Sequence, residues 1–197
     1  MTMPLRRTLL TLTALGTAAG FTSGCGPGDE PASAAPAAAA AAAAANPCAS
    51  VPAALVVPAG NELAFALDAV GVQIYDCKDP GTGPAWAFRA PQATLTDRRG
   101  AFAGTHYAGP TWESKDGSKV VGTRLAGATV DPTAIPWLLL GAASHSGDGR
   151  MEEVTYIQRL HTIGGLAPTD GCDADHLGAV ARVSYEADYC FYEAQDD

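Results

Sequence analysis

Apolar and polar residues alternate along several short segments of the chain after residue 60. Leu63, Phe65 and Leu67 fall on one side of such a segment, and the residues between them fall on the other. A period of two is typical of a β-strand that buries one face. The same alternation recurs at residues 72–77, 86–88, 154–159 and 183–189.

Glycine, proline and aspartate separate these segments. Residues 78–84 have the composition of a loop, and residues 115–118 (Lys-Asp-Gly-Ser) predict a hairpin turn, because Asp-Gly tolerates the positive φ that such turns need. Helix-forming sequence is scarce, with one or two turns at most between Asp173 and Val180. We therefore predict an all-β, mainly antiparallel fold, a sandwich or barrel-like single domain with little helix.

The first 24 residues have the pattern of an export signal. Two arginines precede an uncharged apolar stretch at residues 8–21, which is too short to span a membrane as a helix. Small residues then lead into Cys25, and this junction resembles the lipobox of bacterial lipoproteins, whose cysteine is acylated, although Thr22 stands where leucine is usual. An ordinary secretory signal, cut near Ala18 or Gly24, is the alternative.

We predict three parts along the chain: a lipoprotein signal peptide at 1–24, a lipid-anchored cysteine with an Ala/Pro-rich tether at 25–46, and one β-rich domain at 47–197. The expected location is exported and membrane-anchored through the lipid on Cys25. By resemblance to other lipoproteins, Gly26 in place of Asp after this cysteine implies the outer membrane if the source is Gram-negative.

The acidic balance of the chain excludes one class of partner. Lys and Arg number 12 against 21 Asp and Glu, a formal net charge of −9. Such a surface repels phosphate backbones and anionic head groups. We therefore expect no nucleic-acid partner, and membrane attachment has to come from the lipid.

Four cysteines follow the tether, at positions 48, 77, 172 and 190. An even number in an exported domain predicts two disulfides, and four cysteines allow three connectivities. Free thiols and a zinc site are the alternatives, but the chain has no C-x-x-C pair of the kind that zinc sites use.

Familiar catalytic and cofactor motifs are missing from the sequence. No G-x-G-x-x-G leads into a helix, and no G-x-S-x-G nucleophile elbow occurs. The acidic run from Asp170 lacks the glutamate at the twelfth position of a calcium loop. A zinc site formed by His106, His161 and His176 is not supported by a paired motif such as H-E-x-x-H. We predict no cofactor, no metal site and no catalytic residue.

The densest group of potential binding residues is the segment 106–113. His106, Tyr107, Trp112 and Glu113 combine two aromatic rings, an imidazole and a carboxylate, and are the candidate binding residues. Strand alternation puts Trp112 and Glu113 on opposite faces, so at most one of them shares the surface of His106. The alternative is that Trp112 belongs to the core and His106 caps a loop.

Arg159 is the fifth candidate binding residue. It shares a predicted face with Ile157, His161 and Ile163. An arginine on a row that faces the core is costly unless it meets a carboxylate. We predict an ion pair with a carboxylate, of which Asp131, Glu113 and Glu186 are the candidates, and the alternative is an anion site.

Several segments together resemble the bacterial and fungal domain-of-unknown-function family 3455 (DUF3455), over about residues 51–192. The residues that carry the resemblance are Gly71 to Cys77, Ala90 to Leu95, His106 to Glu113, Asp116 to Ser118, Ile135 to Leu140, Val154 to Arg159, and Thr162 to Pro168 with Gly171 and Cys172. No established activity follows from this resemblance.

The resemblance does bear on the cysteines. Cys77 and Cys172 lie inside family motifs, whereas Cys48 and Cys190 lie where other residues are expected in many relatives. This implies a Cys77–Cys172 bridge and, as a local addition, a Cys48–Cys190 bridge. The pairing of neighbours, Cys48 with Cys77 and Cys172 with Cys190, remains open.

The functional expectation is a lipid-anchored envelope protein whose non-enzymatic β domain binds a small molecule, a glycan or an envelope partner. It depends on the missing catalytic motifs, the tether and the aromatic residues at 107 and 112. The alternative is a hydrolase-type enzyme that uses His106 with Glu113 or Asp116.

Overall fold

A computed structural model describes residues 46–196, and these form antiparallel strands with two short 3-10 turns, Ala53–Leu55 and Ala174–His176. The fold class predicted from the sequence is confirmed. The predicted signal peptide, the acylated Cys25 and all of the tether except Asn46 lie outside the described residues. Within residues 46–196, no helix is long and apolar enough to cross a membrane.

Eight strands follow one another along the chain, and each pairs with its sequence neighbour. They are β1 (Asn61–Lys78), β2 (Ala85–Thr96), β3 (Phe102–Tyr107), β4 (Thr111–Ser114), β5 (Lys119–Ala128), β6 (Trp137–Ser146), β7 (Val154–Gly164) and β8 (Val180–Ala194). The hairpin predicted at 115–118 joins β4 to β5.

The sheet closes on itself because β1 pairs with both β2 and β8. Of the two architectures that the sequence left open, the structure is therefore the barrel. Closure removes the unpaired edges that an open sheet would present. An eight-stranded barrel has an interior that side chains just fill, or that holds one small ligand.

Alternate residues of the strands build the interior. On β1, Leu67 and Ala69 point inward, and on β8 Tyr185, Ala187 and Tyr189 do the same, each of them at least nine-tenths buried. Along these stretches the alternation that predicted strands also fills the barrel. The face predicted for Leu63 is wrong: the β1–β8 pairing shifts between Leu63 and Phe65, so Phe65 and Leu67 belong to the interior while Leu63 packs outside the barrel wall. The remaining buried members of this core are Ala93, Leu95, Ala103, Trp112, Val120, Ile135, Leu140, Met151, Val154, Ile157 and Phe191.

A second apolar cluster lies outside the barrel wall. The segment before β1 runs across β5, β6, β7 and β8, and it places Leu55, which is fully buried, against Leu139 and Leu160. The Leu55 carbonyl accepts a hydrogen bond of 2.7 Å from Gln158 Nε2. Leu139 is therefore buried on the outer face of β6, while its neighbours Leu138 and Leu140 face the interior, which explains the unbroken apolar run in this strand.

The two disulfides are Cys77–Cys172 and Cys48–Cys190. The pairing that the family resemblance implied is confirmed, and the pairing of sequence neighbours is wrong. Cys77–Cys172 ties the β7–β8 connection to the end of β1. Cys48–Cys190 ties the segment before β1 to the outer face of β8.

One end of the barrel, which we call the closed end, carries the β4–β5 turn and the β6–β7 connection. There the Arg150 amide donates to Asp116 Oδ2 at 3.1 Å, and the fully buried Met151 donates its amide to Ser118 Oγ at 3.1 Å. The Arg150 guanidinium lies 3.8 Å from the ring centre of Phe65. These contacts plug the closed end. The opposite end, where β1 ends and β2 begins, we call the open end.

Gly71 allows β1 and β2 to approach closely, and alanine there should be strongly destabilising. A Cβ at this position would press on the Gln92 carbonyl and lie 2.6 Å from Ala93 Cβ, and backbone cannot yield as a flexible side chain can. We expect Gly71→Ala to lower the free energy of unfolding by about 2 to 3 kcal/mol, measured by urea denaturation.

Gly141→Ala in β6 is the matched control, because the nearest atoms to its Cβ would belong to the flexible Leu125 side chain, at 3.2 Å. Equal losses in the two variants would contradict the close approach as the cause.

Candidate functional site

A cavity of about 290 Å³ lies inside the barrel toward its open end. Strands β2 to β8 all contribute to its walls, so the strand pairing of the whole barrel holds its shape. Its lining combines apolar side chains with arginines and aromatic rings. The residues are Phe88, Arg89, Pro91, His106, Gly109, Pro110, Trp112, Arg124, Leu138, Leu140, Arg159 and Tyr189.

His106 and Trp112 form one wall of this cavity. They lie directly opposite each other in the β3–β4 pair, so strand register brings their rings together. The rings are stacked, with centroids 4.4 Å apart and an interplanar angle of 16°. Tyr189 packs beside both, at 5.1 Å from His106 and 5.4 Å from Trp112. The three side chains form a buried aromatic wall.

His106 is neutral and presents a lone pair. Its Nδ1 lies 2.8 Å from the Thr111 carbonyl oxygen, and because that oxygen only accepts, Nδ1 carries the proton and Nε2 does not. Burial lowers the pKa of His106 to about 3, since the charged imidazolium would lose its hydration, and the Arg159 charge adds to this effect. At neutral pH the ring is therefore uncharged. Its Nε2 accepts a hydrogen bond, but the ring is a weak base and cannot act as a general acid.

Arg159 lies on the inward face of β7, and its predicted ion pair is wrong. Nε and Nη2 both donate to the Pro136 carbonyl, at 3.2 and 2.8 Å, and no carboxylate within residues 46–196 pairs with it. Asp131 accepts from Thr133 instead. Glu113 and Glu186 lie on the outer side of the barrel, so the strand faces separate them from Arg159.

The prediction that Arg159 shares one strand face with Ile157, His161 and Ile163 is correct only for Ile157. Ile157 is fully buried beside it, as alternation predicted, but His161 and Ile163 are exposed. The pairing of β7 with β8 shifts between Leu160 and Ile163, and His161 has φ of 47°. The irregularity turns His161 outward, where Nδ1 lies 2.8 Å from Asp188 Oδ2.

Tyr107 and Glu113, two of the five candidate residues, lie away from the cavity. The Tyr107 hydroxyl donates to Glu113 Oε2 at 2.8 Å, and Lys119 Nζ lies 3.4 Å from the same oxygen. The Tyr107 hydroxyl and the Lys119 ammonium hold the pKa of Glu113 below its usual range. The structure thus groups His106, Trp112 and Arg159, and it separates Tyr107 and Glu113 from them.

Neither carboxylate of the alternative enzyme hypothesis contacts His106. Glu113 is bound to Tyr107 and Lys119, and Asp116 lies at the closed end, where it accepts from the Ser118 hydroxyl at 2.6 Å. Within the described chain, the hydrogen-bond partner of His106 is the Thr111 carbonyl. The arrangement supplies an aromatic surface, an acceptor and guanidinium donors.

Several residues that line the cavity were not among the candidates predicted from the sequence. Arg124 follows Val120 and Gly122 at a spacing of two, which is a signal that it faces inward. Tyr189 belongs to the alternating row recognised in the last strand. Arg89 carried no signal, because the β1–β2 pairing shifts at this point and changes the faces of the residues beyond it.

The described residues contain no cluster of three His, Cys, Asp or Glu side chains that is able to hold a metal ion. A comparison with protein families matched residues 58–193 to a model described as a protein of unknown function, DUF3455. Comparisons with curated proteins and with solved structures found no match.

Proposed function

Since this chain belongs to the DUF3455 family, whose description names no activity, we propose a function from the site itself: the barrel is a non-enzymatic receptor that holds one small molecule in the cavity at its open end. Of the three ligand classes expected from the sequence, we select the small molecule. A glycan chain or a protein partner would need an extended surface, whereas the candidate residues His106, Trp112 and Arg159 line a concave cavity inside the barrel.

The observation that supports this proposal is the cavity of about 290 Å³ inside the barrel, beside its buried core. Small-molecule sites are typically concave and mostly apolar, with a few polar groups that orient the ligand, and the mouths of β-barrels are a common place for them. The cavity is close to the lower end of the usual size range, roughly 300 to 1,000 Å³. It has apolar walls, an acceptor at His106 and donors at Arg159.

The preference for a receptor over an enzyme rests on His106. A general base needs a pKa near the working pH and an acid or hydroxyl partner within reach. The pKa of His106 lies at about 3, and its bond goes to a backbone carbonyl. An aromatic ring that packs on Trp112 and accepts one hydrogen bond is suited to recognition.

We also propose that the receptor is exported and anchored to the membrane through an acylated Cys25, at the outer membrane if the source is Gram-negative. The junction before Cys25 resembles a lipobox, and an acidic chain has little electrostatic attraction to a membrane. The two disulfides, Cys77–Cys172 and Cys48–Cys190, suit an oxidising compartment outside the cytoplasm.

A screen of small molecules against the full chain by thermal shift tests the receptor. A ligand present at about a hundred times its Kd stabilises the folded state by about 2.7 kcal/mol, which raises the Tm of a chain of this size by roughly 5 to 10 °C. We expect such shifts for some compounds about the size of one substituted aromatic ring, whether neutral or charged.

The cavity is tested as the site by filling it. Leu138→Trp adds bulk to the lining and should abolish the shifts, whereas Leu125→Trp, at a leucine that is 56% exposed, should leave them unchanged. The absence of any shift across the screen, or shifts that survive Leu138→Trp, would contradict the proposal.

A further inference from the structure

The charged side chains that line the cavity are all arginines. Arg89, Arg124 and Arg159 contribute to its walls, and no Asp or Glu of the described residues does so. The whole chain, in contrast, has a formal net charge of −9. A cavity that gathers positive side chains within an acidic protein attracts an anion, because walls of low dielectric focus the field of the charges.

The donors of Arg159 match the shape of a carboxylate. A guanidinium has five N–H groups in a planar fork, and the Pro136 carbonyl takes one from Nε and one from Nη2. Three remain, on Nη1 and Nη2, and a pair of them is able to bind both oxygens of one carboxylate. Arg89 is already paired with Asp76, so Arg159 is the principal anion contact.

At His106 the ligand has to be uncharged, in contrast to the anionic group expected at Arg159. Its unprotonated Nε2 would repel an anionic oxygen, and it accepts a hydrogen bond or contacts a C–H group instead. Around it, the side chains of Leu138, Leu140, Pro91 and Phe88 are apolar, and Trp112 adds an aromatic ring whose Nε1–H is buried without a hydrogen-bond partner in the described residues. The ligand therefore has its charge at one end, toward Arg159, and an uncharged body against the aromatic wall.

The volume limits the size of that body. The cavity of about 290 Å³ lies close to the lower end of the range for small-molecule sites, roughly 300 to 1,000 Å³. A ring with one short substituent fits this space. A long acyl chain or an oligosaccharide would extend beyond it into solvent.

From these observations we infer that the ligand is a small organic monocarboxylate with a compact apolar body about the size of one aromatic ring. Its carboxylate lies on Arg159, and its body packs against Trp112 and the leucines. Arg124, which is exposed near the mouth, attracts the anion without enclosing it. This inference rests on the proposed receptor function and names its ligand class.

Isothermal titration calorimetry of the full chain with four probes tests it: benzoate, benzyl alcohol, acetate and phenyl phosphate. Benzyl alcohol keeps the ring without the charge, and acetate keeps the charge without the ring. We expect benzoate to bind about tenfold or more tightly than either, because a hydrogen bond to a charged group changes affinity by roughly ten- to a hundredfold.

Arg159→Gln tests the residue, since glutamine keeps a donor for the Pro136 carbonyl and loses the charge. We expect the affinity for benzoate to fall by about ten- to a hundredfold, while that for benzyl alcohol stays the same. Arg98→Gln is the matched control, because Arg98 is paired with Asp68 on the outer surface.

The outcomes separate the ligand class from the receptor itself. Benzyl alcohol binding as tightly as benzoate would overturn the carboxylate and leave the receptor standing, and tighter binding of phenyl phosphate would replace the carboxylate by a phosphate. If none of the four probes binds, the assignment of a monocarboxylate ligand is overturned as well. The thermal-shift screen of small molecules then decides whether the barrel is a receptor. The probe comparison uses the unaltered chain, so it stands even if Arg159→Gln does not fold.

Discussion

Replacing Cys77 and Cys172 together by alanine should lower the free energy of unfolding by about 4 to 5 kcal/mol. The bridge spans a sequence separation of 95 residues, and closing so long a loop removes much of the conformational entropy of the unfolded chain. Domains of this kind have about 5 to 15 kcal/mol of stability in total, so the change is a large part of it. Urea denaturation with and without reductant measures the loss.

The second bridge provides the comparison. Cys48 and Cys190 are separated by 142 residues, and in the same chain-entropy relation their removal should cost about 5 kcal/mol. With the four cysteines of the two bridges replaced, reductant should have no further effect, which controls for other actions of the reagent. A Cys77/Cys172 variant as stable as the parent chain would show that this bridge does not restrain the unfolded state.

Acidification should destabilise the fold through His106 before the carboxylates titrate. The pKa of His106 is about 3 in the folded barrel, against an ordinary value of 6.5. Between these values the unfolded chain binds a proton that the folded chain does not, so stability is complete above the ordinary pKa and falls as the pH is lowered. The slope approaches 1.4 kcal/mol per pH unit, and the total is about 4 to 5 kcal/mol.

The cause is burial, because His106 is 2% exposed and packs against Trp112 and Tyr189. The charged group that acts on its pKa is Arg159 on β7, which disfavours the imidazolium further. Several carboxylates, Asp116 and Asp76 among them, have a lowered pKa and act in the same direction at more acidic pH. The informative window is therefore about pH 6.5 to 5.

His106→Asn removes the titration and keeps a donor for the Thr111 carbonyl. Its unfolding free energy should change little across that window, whereas the parent chain loses about 2 kcal/mol. His161→Asn, at an exposed histidine, is the matched control and should behave as the parent does. Equal pH slopes in the parent and in His106→Asn would show that the buried imidazole is not responsible.

The strand pattern was readable from the sequence because it is local. Val183 to Tyr189 alternate with a period of two, and that period predicts which residues share a face without knowledge of what lies opposite. At Leu63 to Leu67 the same rule was wrong for Leu63, because the β1–β8 pairing shifts between Leu63 and Phe65. The same rule separated Trp112 from Glu113. The β4–β5 hairpin followed from Asp116 and Gly117 in the same way, while the disulfide pairing came from the family resemblance.

The cavity residues could not be predicted from local sequence alone, because their positions depend on contacts between distant parts of the chain. Arg159 was expected to meet a carboxylate, but Asp131, Glu113 and Glu186 prove to be engaged or turned outward, and only the assembled barrel shows this. The irregular pairing at His161 and at Arg89 changes which side chains face inward, and it depends on how two strands twist against each other.

The sequence by itself determined that this chain forms antiparallel strands with one buried face, since the spacing of apolar residues and the positions of Gly, Pro and Asp are properties of neighbours along the chain. Only the tertiary structure decided that the sheet closes into a barrel, that segment 48–57 covers its outer wall, and that His106, Trp112, Arg124 and Arg159 meet around one cavity. The physical reason is strand register: it sets which distant residues lie side by side, and it is chosen by the packing of the whole barrel.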